Sequence, residues 1–421
     1  MPASLRLFLL ALLAATTLAV NAAALPEAAP EAVGMSSARL ARLDAALQHA
    51  VDIGELPGAV VMIARDGKLV HARNFGWQDR ERKIAMNDDA IFRIYSMTKP
   101  IVSVAAMMLV EEGRLGLHEP ISKFIPEFKD MKVGIETADA SGKFSLSLID
   151  AKRQITVQDL LRHTSGFTYS LLGAPTLIKK AYTEANIFSQ KWVLAEWCRA
   201  LAKLPLVNEP GTTWEYGHST DVLGRVVEVV SGQPLDAFLD QKILRPLRMN
   251  DTGFHVPRAR HERIAQPIAD KYTGKTPELL DLREPATFFA GGHGLVSTAA
   301  DYLRFAQMLQ DGGALEGERL LGPRTVRNMR SNHINDRISR GNTYLPGPGY
   351  GFGLGFGVRL ETGQSEWPGT VGDFYWGGYA GTAFWIDPVE RLTVVYMSQE
   401  PLRRGHYRTL LRSLVYQAIV Q

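Results

Sequence analysis

A serine and a lysine stand three residues apart where a buried helix is predicted to begin. Ser96 and Lys99 precede an apolar run from Ile101 to Val110, and residues at this spacing share one face of a helix. Serine becomes a useful nucleophile when a neighbouring base takes its proton, and a partly buried lysine can be that base. Amides at a helix N-terminus also stabilise developing negative charge. The pair is therefore a candidate nucleophile and base, although a Ser-x-x-Lys spacing also arises by chance.

A tyrosine on a predicted loop offers a second proton carrier. Tyr216 follows the turn at Pro210-Gly211 and precedes a helix predicted from Asp221. A lysine ammonium nearby would favour the phenolate, which can serve first as general base and then as general acid. The alternative is a buried tyrosine that anchors its loop. Ser219 is not the predicted nucleophile, because the nucleophile-elbow motif requires glycine where Asp221 stands.

Two adjacent glycines near the end of the chain form a third candidate element. Trp376-Gly377-Gly378-Tyr379 lies between an aromatic run and a predicted strand. Adjacent glycines allow another part of the backbone to approach closely. Backbone amides placed beside a nucleophile can hold an oxyanion. The alternative is an ordinary glycine turn.

The elements that must position these residues are strands near both ends of the chain and helices between them. Residues 58–64 and 68–75 are apolar and β-branched and meet at Asp66-Gly67, which is a strong hairpin signal. Further strands are predicted at 350–358, 382–386 and 392–397, and helices at 192–204, 221–230 and 235–247. We therefore predict an α/β (α+β) fold in which one antiparallel sheet, built from both ends, is covered by helices. The predicted sheet domain comprises 25–90 and 296–421, the α-rich domain comprises 91–295, and the active site lies between them.

Two further segments, residues 129–153 and the loop that contains His163, lie outside the three candidate elements. The stretch from Lys129 to Arg153 is polar and irregular, which predicts a surface insertion. His163 lies in a loop after a predicted helix, and no second partner for it is evident in the sequence. We expect the His163 loop to serve the fold. The insertion, together with the loop from Asn332 to Pro348, is a candidate to shape the pocket.

The first residues predict export. Residues 1–24 contain one basic residue, Arg6, then an apolar core and three terminal alanines, a pattern typical of a cleaved secretory signal. The core is too short for a comfortable transmembrane span. The expected protein is periplasmic or secreted, with no stable membrane insertion after the signal is removed.

Composition excludes several other functions. The net charge is +3 and no basic run is present, so nucleic-acid binding has no electrostatic support. Cys198 is the single cysteine and lies in an apolar-periodic segment, which predicts a packed thiol. His118-Glu119 and His261-Glu262 do not continue to a second histidine at zinc-protease spacing. No metal or organic cofactor and no protein partner are predicted.

Taken in order and spacing, the three elements resemble the serine β-lactamase and penicillin-binding protein superfamily. That superfamily has a Ser-x-x-Lys helix, a Tyr-x-Asn-type loop and a Lys-Thr-Gly-type strand. The likeness also covers Leu160 to Gly166 and Gly291 to Leu295. The resemblance implies a β-lactamase/DD-peptidase-like fold, with Ser96, Lys99 and Tyr216 as the catalytic residues.

The departures from the lactamase pattern favour ester substrates. Trp376-Gly377-Gly378 replaces lysine or histidine with Thr-Gly, and His218 replaces asparagine in the second motif. The missing lysine removes a cation suited to a β-lactam carboxylate. Trp-Gly-Gly at this position is similar to the family VIII carboxylesterases, relatives of class C β-lactamases. The resemblance implies hydrolysis of small-molecule esters with short to medium acyl chains. It also implies an oxyanion hole made by the amides of Ser96 and Tyr379, and substrate contacts from Tyr95, His218, Trp376, Gly377 and Gly378.

Two alternatives remain open in the sequence. One is a β-lactamase or D-stereospecific peptidase of the same superfamily. The other is a non-catalytic penicillin-recognising or scaffold protein, against which stands the joint presence of Ser96, Lys99 and Tyr216. Whether Lys99 or Tyr216 accepts the proton also stays open, because coupled groups share their titration.

Overall fold

An eight-stranded antiparallel sheet organises residues 25–421, the part of the chain that this computed structural model describes. The predicted signal, residues 1–24, lies outside the described residues. The strands are β1 Gly58–Arg65, β2 Lys68–Asp79, β3 Ile84–Ala85, β4 Phe92–Arg93, β5 Lys132–Ala138, β6 Phe144–Asp150, β7 Thr213–Trp214, β8 Val296–Ser297, β9 Ala314–Leu315, β10 Glu318–Arg319, β11 Ser339–Arg340, β12 Tyr350–Phe352, β13 Gly357–Arg359, β14 Phe374–Gly377, β15 Ala383–Asp387 and β16 Leu392–Ser398.

The main sheet joins the two ends of the chain. Its order is β12-β13-β14-β15-β16-β1-β2-β3, and β1 pairs with β16 from Ala59 opposite Ser398 to Arg65 opposite Leu392. Early and late strands therefore share one sheet, as predicted. The domain boundaries at 90/91 and 295/296 stay predictions.

Helices cover both faces of the sheet. They are α1 Ser37–Asp52, α2 Thr98–Glu111, α3 Val157–Leu161, α4 Leu177–Glu184, α5 Leu194–Leu201, α6 Ser219–Ser231, α7 Leu235–Leu239, α8 Ala299–Gln310, α9 Pro323–Met329 and α10 Arg404–Tyr416. One apolar core places α1 and α10 on the first face. A second core joins the opposite face to α2, α6 and α8. An antiparallel sheet flanked by helices is the predicted fold class, and it is confirmed.

The first hairpin forms where local sequence signals predict it. Ala59 pairs with Phe75 across β1 and β2. Asp66 and Gly67 have φ values of 55° and 72°. Positive φ at both central residues matches the right-handed twist of the two strands. This hairpin supplies the two strands that lie between β16 and the edge strand β3.

The predicted surface insertion at 129–153 is largely a second hairpin. β5 pairs with β6 from Lys132 opposite Asp150 to Ala138 opposite Phe144. Phe144, Leu146 and Leu148 alternate with serines, which is a strand pattern. Most of β6 is exposed, so the usual contrast between a buried and a solvated face is weak here. The sequence analysis predicted a surface segment here but did not predict its two strands.

The alternating glycine stretch at 350–358 also differs from its prediction. A turn splits it into β12 and β13, which pair antiparallel with Gly351 opposite Val358. Gly355 has φ 107°, and a Cβ there would lie 2.5 Å from the Ser103 hydroxyl oxygen. This glycine allows the chain both to reverse and to pack closely against α2.

The helices determine two further properties, which are the burial of the thiol and the absence of a membrane-spanning helix among the described residues. Cys198 is fully buried in α5, as its apolar surroundings predict, and burial raises the pKa of its thiol well above the ordinary value. Within residues 25–421, none of the helices combines the length and apolar character needed to cross a bilayer.

Candidate active site

Ser96 lies on a tight 3₁₀ turn, Tyr95–Met97, that leads directly into α2. Tyr95 has φ 43°, a left-handed conformation that costs a non-glycine residue about 1 kcal/mol or more. Its hydroxyl accepts a hydrogen bond from the Leu280 amide at 2.9 Å, and its ring meets that of Tyr379 edge-on at 5.4 Å. These contacts hold the strained residue, and Ser96 remains partly exposed.

Lys99 lies beneath Ser96, and the described structure gives its nitrogen three hydrogen-bond partners. Its Nζ is 3.3 Å from Ser96 Oγ, 3.2 Å from the Tyr169 hydroxyl and 2.8 Å from the Gly292 carbonyl oxygen. An ammonium has three hydrogens, so the contacts saturate its charged form. As a neutral amine, Lys99 would keep two donors and could turn its lone pair to the Ser96 hydroxyl. The site therefore suits a proton that moves between Ser96 and Lys99.

Tyr216 completes the predicted group. Its ring centre lies 4.5 Å from Lys99 Nζ, and its hydroxyl accepts a hydrogen bond from Trp376 Nε1 at 3.3 Å. A Cβ on the adjacent Gly217 would lie 2.3 Å from the Phe167 carbonyl oxygen, so the loop can pass there only with glycine. The structure thus places Tyr216 against Lys99, and Trp376 against Tyr216.

A buried carboxylate lies behind Lys99. Asp221 Oδ1 accepts a hydrogen bond from the Gly292 amide at 2.8 Å, and the carbonyl oxygen of the same glycine accepts from Lys99. A Cβ at Gly292 would lie 2.8 Å from Asp221 and 2.9 Å from the Tyr169 hydroxyl. Burial alone would raise the pKa of Asp221, but a hydrogen bond from His218 and the charges of His293 and Lys99 bring it to about 2. A permanent negative charge therefore faces Lys99 across one glycine.

His218 lies below the site and is fully enclosed. Its Nδ1 is 3.2 Å from Asp221 Oδ2. Its ring is surrounded by the aromatic rings of Tyr169, Tyr182, Phe188 and Trp197. Burial lowers its pKa, against the raising effect of Asp221, and burial likewise lowers the pKa of His293 to about 4. Both histidines are therefore neutral at pH 7. The predicted substrate contact through His218 stays a prediction, and its ring offers almost no surface for one.

The Trp-Gly-Gly segment runs beside the serine turn. A Cβ at Gly378 would lie 2.3 Å from the carbonyl oxygen of Ile94, two residues before Ser96, so glycine alone allows this approach. Trp376 belongs to the core that contains Tyr216. Gly377 faces the opposite side of β14, where a Cβ would meet Arg408 of α10 at 2.5 Å. The roles predicted for the Tyr379 amide, Gly377 and Gly378 stay predictions.

Three groups that touch Lys99 or its neighbours were not predicted from the sequence. Tyr169 shares a hydrogen bond with Lys99, and burial, with Asp221 and Tyr216, raises the pKa of its phenol well above the usual value. Asp221 and the Gly292 backbone complete the set. The available signals were weak, because Tyr169 lies just past the noted loop and the glycine acts through its main chain. His163 is buried against Tyr216 at 5.0 Å between ring centres, so its structural interpretation has geometric support.

Comparison with known proteins gives consistent matches across the chain. A family model described as Beta-lactamase matches residues 43–417. Protein Rv1367c of Mycobacterium tuberculosis is 37% identical over 365 residues, covering 84% of this chain and 88% of that protein. Esterase EstB of Burkholderia gladioli is 32% identical over 414 residues, covering 92% and 98%. The structure of EstCE1, described as a hydrolase with promiscuous acyltransferase activity, has a TM-score of 0.76 at 29% identity, covering 90% and 99%.

Proposed function

Because this chain belongs to the β-lactamase family and is a serine hydrolase with esterase-like relatives, we propose that it cleaves carboxylic esters through an acyl-enzyme on Ser96. The observation that carries the proposal is the contact of Lys99 with Ser96 and Tyr216, with Trp376 against Tyr216. The proposed substrates are small-molecule esters with short to medium acyl chains. We propose that the protein needs no stable protein partner for this activity.

The proposed first step forms the acyl-enzyme. Ser96 Oγ attacks the ester carbonyl while Lys99 and Tyr216 together take its proton. The amides of Ser96 and Tyr379 hold the oxyanion of the tetrahedral intermediate. When the intermediate collapses, the C–O bond to the alcohol breaks and the same pair returns the proton to the leaving alcohol. Water then releases the acid by the same sequence, with its proton passing to Lys99 and Tyr216.

Trp376 supports neutral esters over β-lactams as the preferred substrates. It presents an indole where lactamases carry a cation, and it packs edge-on against Phe352 at 5.3 Å between ring centres. Tyr216 and Trp214 stack at 5.9 Å in the same cluster. An aromatic surface of this kind binds apolar groups but offers no positive charge to pair with a carboxylate. We propose that Trp376 walls the pocket for an apolar acyl or alcohol group.

The proposed location is the periplasm or the exterior of the cell. It rests on the basic residue, apolar core and terminal alanines of residues 1–24. Expression of the full chain followed by cell fractionation tests it. We expect a shortened protein in the periplasmic or culture fraction, and a full-length protein in the cytoplasm would contradict the proposal.

The experiment for the activity compares p-nitrophenyl butyrate with nitrocefin. The variants are Ser96→Ala, Tyr216→Phe and Trp376→Lys, and Ser103→Ala on the same helix is the matched control. We expect the wild type to turn over the ester faster than nitrocefin. Ester turnover should be lost in Ser96→Ala and in Tyr216→Phe, and it should be retained in Ser103→Ala. Trp376→Lys should shift the ratio towards nitrocefin.

Other outcomes select the alternatives. Dominant nitrocefin turnover by the wild type would make the protein a β-lactamase. Ester turnover that survives Ser96→Ala would show that Ser96 is not the nucleophile. Absence of turnover, together with failure of a fluorophosphonate probe to label the protein, would favour a non-catalytic binding protein.

A further inference from the structure

An arginine from the C-terminal helix reaches the back of the Trp-Gly-Gly segment. Arg408, in α10, donates from Nη2 to the Gly378 carbonyl oxygen at 2.6 Å and to the Thr382 carbonyl oxygen at 3.0 Å. The turn itself supplies a longer bond to Gly378, from the Gly381 amide at 3.3 Å. A charged donor makes the stronger of these hydrogen bonds. Arg408 is therefore the main group that orients the Gly378 carbonyl.

The chain leaves space for this guanidinium. A Cβ at Gly377 would lie 2.5 Å from Arg408 Cζ, so any other residue there would displace the arginine. No carboxylate within residues 25–421 pairs with Arg408, and its Nε is buried without a hydrogen-bond partner. Burial lowers its pKa to about 10, so the side chain remains a cation at pH 7. This partly buried cation has its guanidinium directed at backbone carbonyls.

The orientation of Gly378 also fixes the next amide. The Gly378 carbonyl and the Tyr379 N–H belong to one peptide group, and no described peptide is cis. In a trans peptide the C=O and N–H point in opposite directions. Arg408 approaches from the face covered by α1 and α10, whereas Trp376 and Tyr216 belong to the core on the other face. The Tyr379 N–H therefore points away from Arg408, and it has no backbone acceptor in the described chain.

We propose that Arg408 is a positioning residue for the oxyanion hole. From behind the sheet it holds the Gly378 carbonyl, and so directs the Tyr379 amide towards the carbonyl oxygen of the ester that Ser96 attacks. Its charge also polarises this peptide group and makes the amide a better donor to an oxyanion. The inference rests on the proposed function, because it needs an oxyanion intermediate at Ser96.

Arg408→Met tests the inference, with Arg404→Met as the matched control. Arg404 lies one turn earlier on α10 and places its guanidinium 5.2 Å from the ring centre of Tyr379, but it does not bond Gly378. We expect Arg408→Met to lower kcat on p-nitrophenyl butyrate by about tenfold to a hundredfold, since loss of a whole oxyanion donor costs about 10²–10³. KM should change by less than about threefold, because the ground-state ester needs this amide less than the intermediate does. Arg404→Met should keep both constants.

Second variants keep the test decisive if Arg408→Met folds poorly. Gly377→Ala should reproduce the fall in kcat, because its Cβ occupies the space of the guanidinium. Arg408→Lys should recover part of the rate. An unchanged kcat in Arg408→Met, a rise in KM alone, or equal losses in Arg404→Met would overturn the inference.

The rate of labelling by a fluorophosphonate separates this inference from the proposed function. The phosphonyl oxygen also needs an oxyanion hole, whatever the natural substrate is. Wild type that labels rapidly but does not turn over esters would contradict the proposed ester specificity and still allow the Arg408 test. Slower labelling of Arg408→Met would then support the inference, and equal labelling would overturn it.

Discussion

Two buried charge clusters lie on opposite faces of the sheet and are built differently. On the α10 side, Asp373 is bonded directly to Arg359 at 2.6 Å and to Arg412 at 3.3 Å. On the α2 side, Lys99 and Asp221 are also buried, but they are connected through Gly292. Its carbonyl oxygen accepts a hydrogen bond from Lys99, and its amide donates one to Asp221. One cluster consists of direct ion pairs, and the other separates its charges by a residue of backbone.

The difference shows how one fold can make one buried charge permanent and leave another free to change. A direct ion pair fixes the protonation of both partners, because removing either charge leaves the other unpaired in a medium of low dielectric. Among residues 25–421, the hydrogen-bond partners of Lys99 are all neutral. Lys99 can lose a proton without leaving a paired carboxylate behind. We therefore expect changes in the first cluster to affect chiefly stability, and changes in the second to affect chiefly activity.

The largest expected effect is the loss of activity in Lys99→Met. The variant keeps the length of the side chain but removes the proposed base, so we expect kcat/KM on p-nitrophenyl butyrate to fall by about 10⁴-fold, the upper range for a general base. Lys179→Met is the control, because Lys179 is also buried and bonds a backbone carbonyl, that of Leu172. Equal losses in both variants would contradict the comparison.

Asp373→Asn should chiefly affect stability. Two buried arginines would lose their counter-ion, and breaking a buried pair costs about 3–5 kcal/mol. We expect the free energy of unfolding in urea to fall by about 3 kcal/mol, while kcat per folded molecule stays within about twofold of wild type. A selective loss of kcat with normal stability would show that this cluster also serves the chemistry.

His293 should make stability depend on pH on the side of the active site. Burial lowers its pKa from 6.5 to about 4, so the unfolded chain binds a proton that the folded chain refuses between these values. This stabilisation is complete above about pH 6.5 and is lost as the pH falls through 4, by about 3 kcal/mol in total. Urea unfolding of wild type and His293→Gln across this range measures it. His118→Gln, at an exposed position, should leave the slope unchanged.

Asp221→Asn should give the smallest effect and shift a pH profile. The amide oxygen can still accept from Gly292, so the variant removes charge more than geometry. We expect kcat/KM to fall by about tenfold, and the acidic limb of its pH profile to move to lower pH because an anion that favours the protonated base is gone. An unmoved profile would show that Asp221 acts only as a scaffold for Gly292.

The sequence was most informative where the signal was local. Asp66-Gly67 carries its own turn chemistry, and the Ser96 to Lys99 spacing places both side chains on one helical turn. The β5–β6 hairpin also has a local alternation, but its exposure on both faces hides the usual contrast between core and solvent. Local pattern and burial together made the first elements predictable.

The remaining site residues could not be derived from local pattern. Tyr169, Asp221 and Arg408 form hydrogen bonds with groups that are 70, 71 and 30 positions away in the chain. Two of these contacts are to backbone atoms of glycines. Backbone atoms are not specific to a residue type, so the sequence does not mark them. Their partners depend on how the sheet and helices pack, so a single sequence contains no spacing that predicts them.

The buried thiol described in α5 has a practical consequence. Cys198 is inaccessible, and burial raises the pKa of its thiol well above the ordinary value, so thiol reagents should ignore it in the native protein. A cysteine introduced at the exposed side chain of Leu171, two residues from Tyr169, could then carry the sole fluorophore without prior removal of the native thiol. A fluorophore at this position would therefore allow substrate binding to be followed without removal of Cys198.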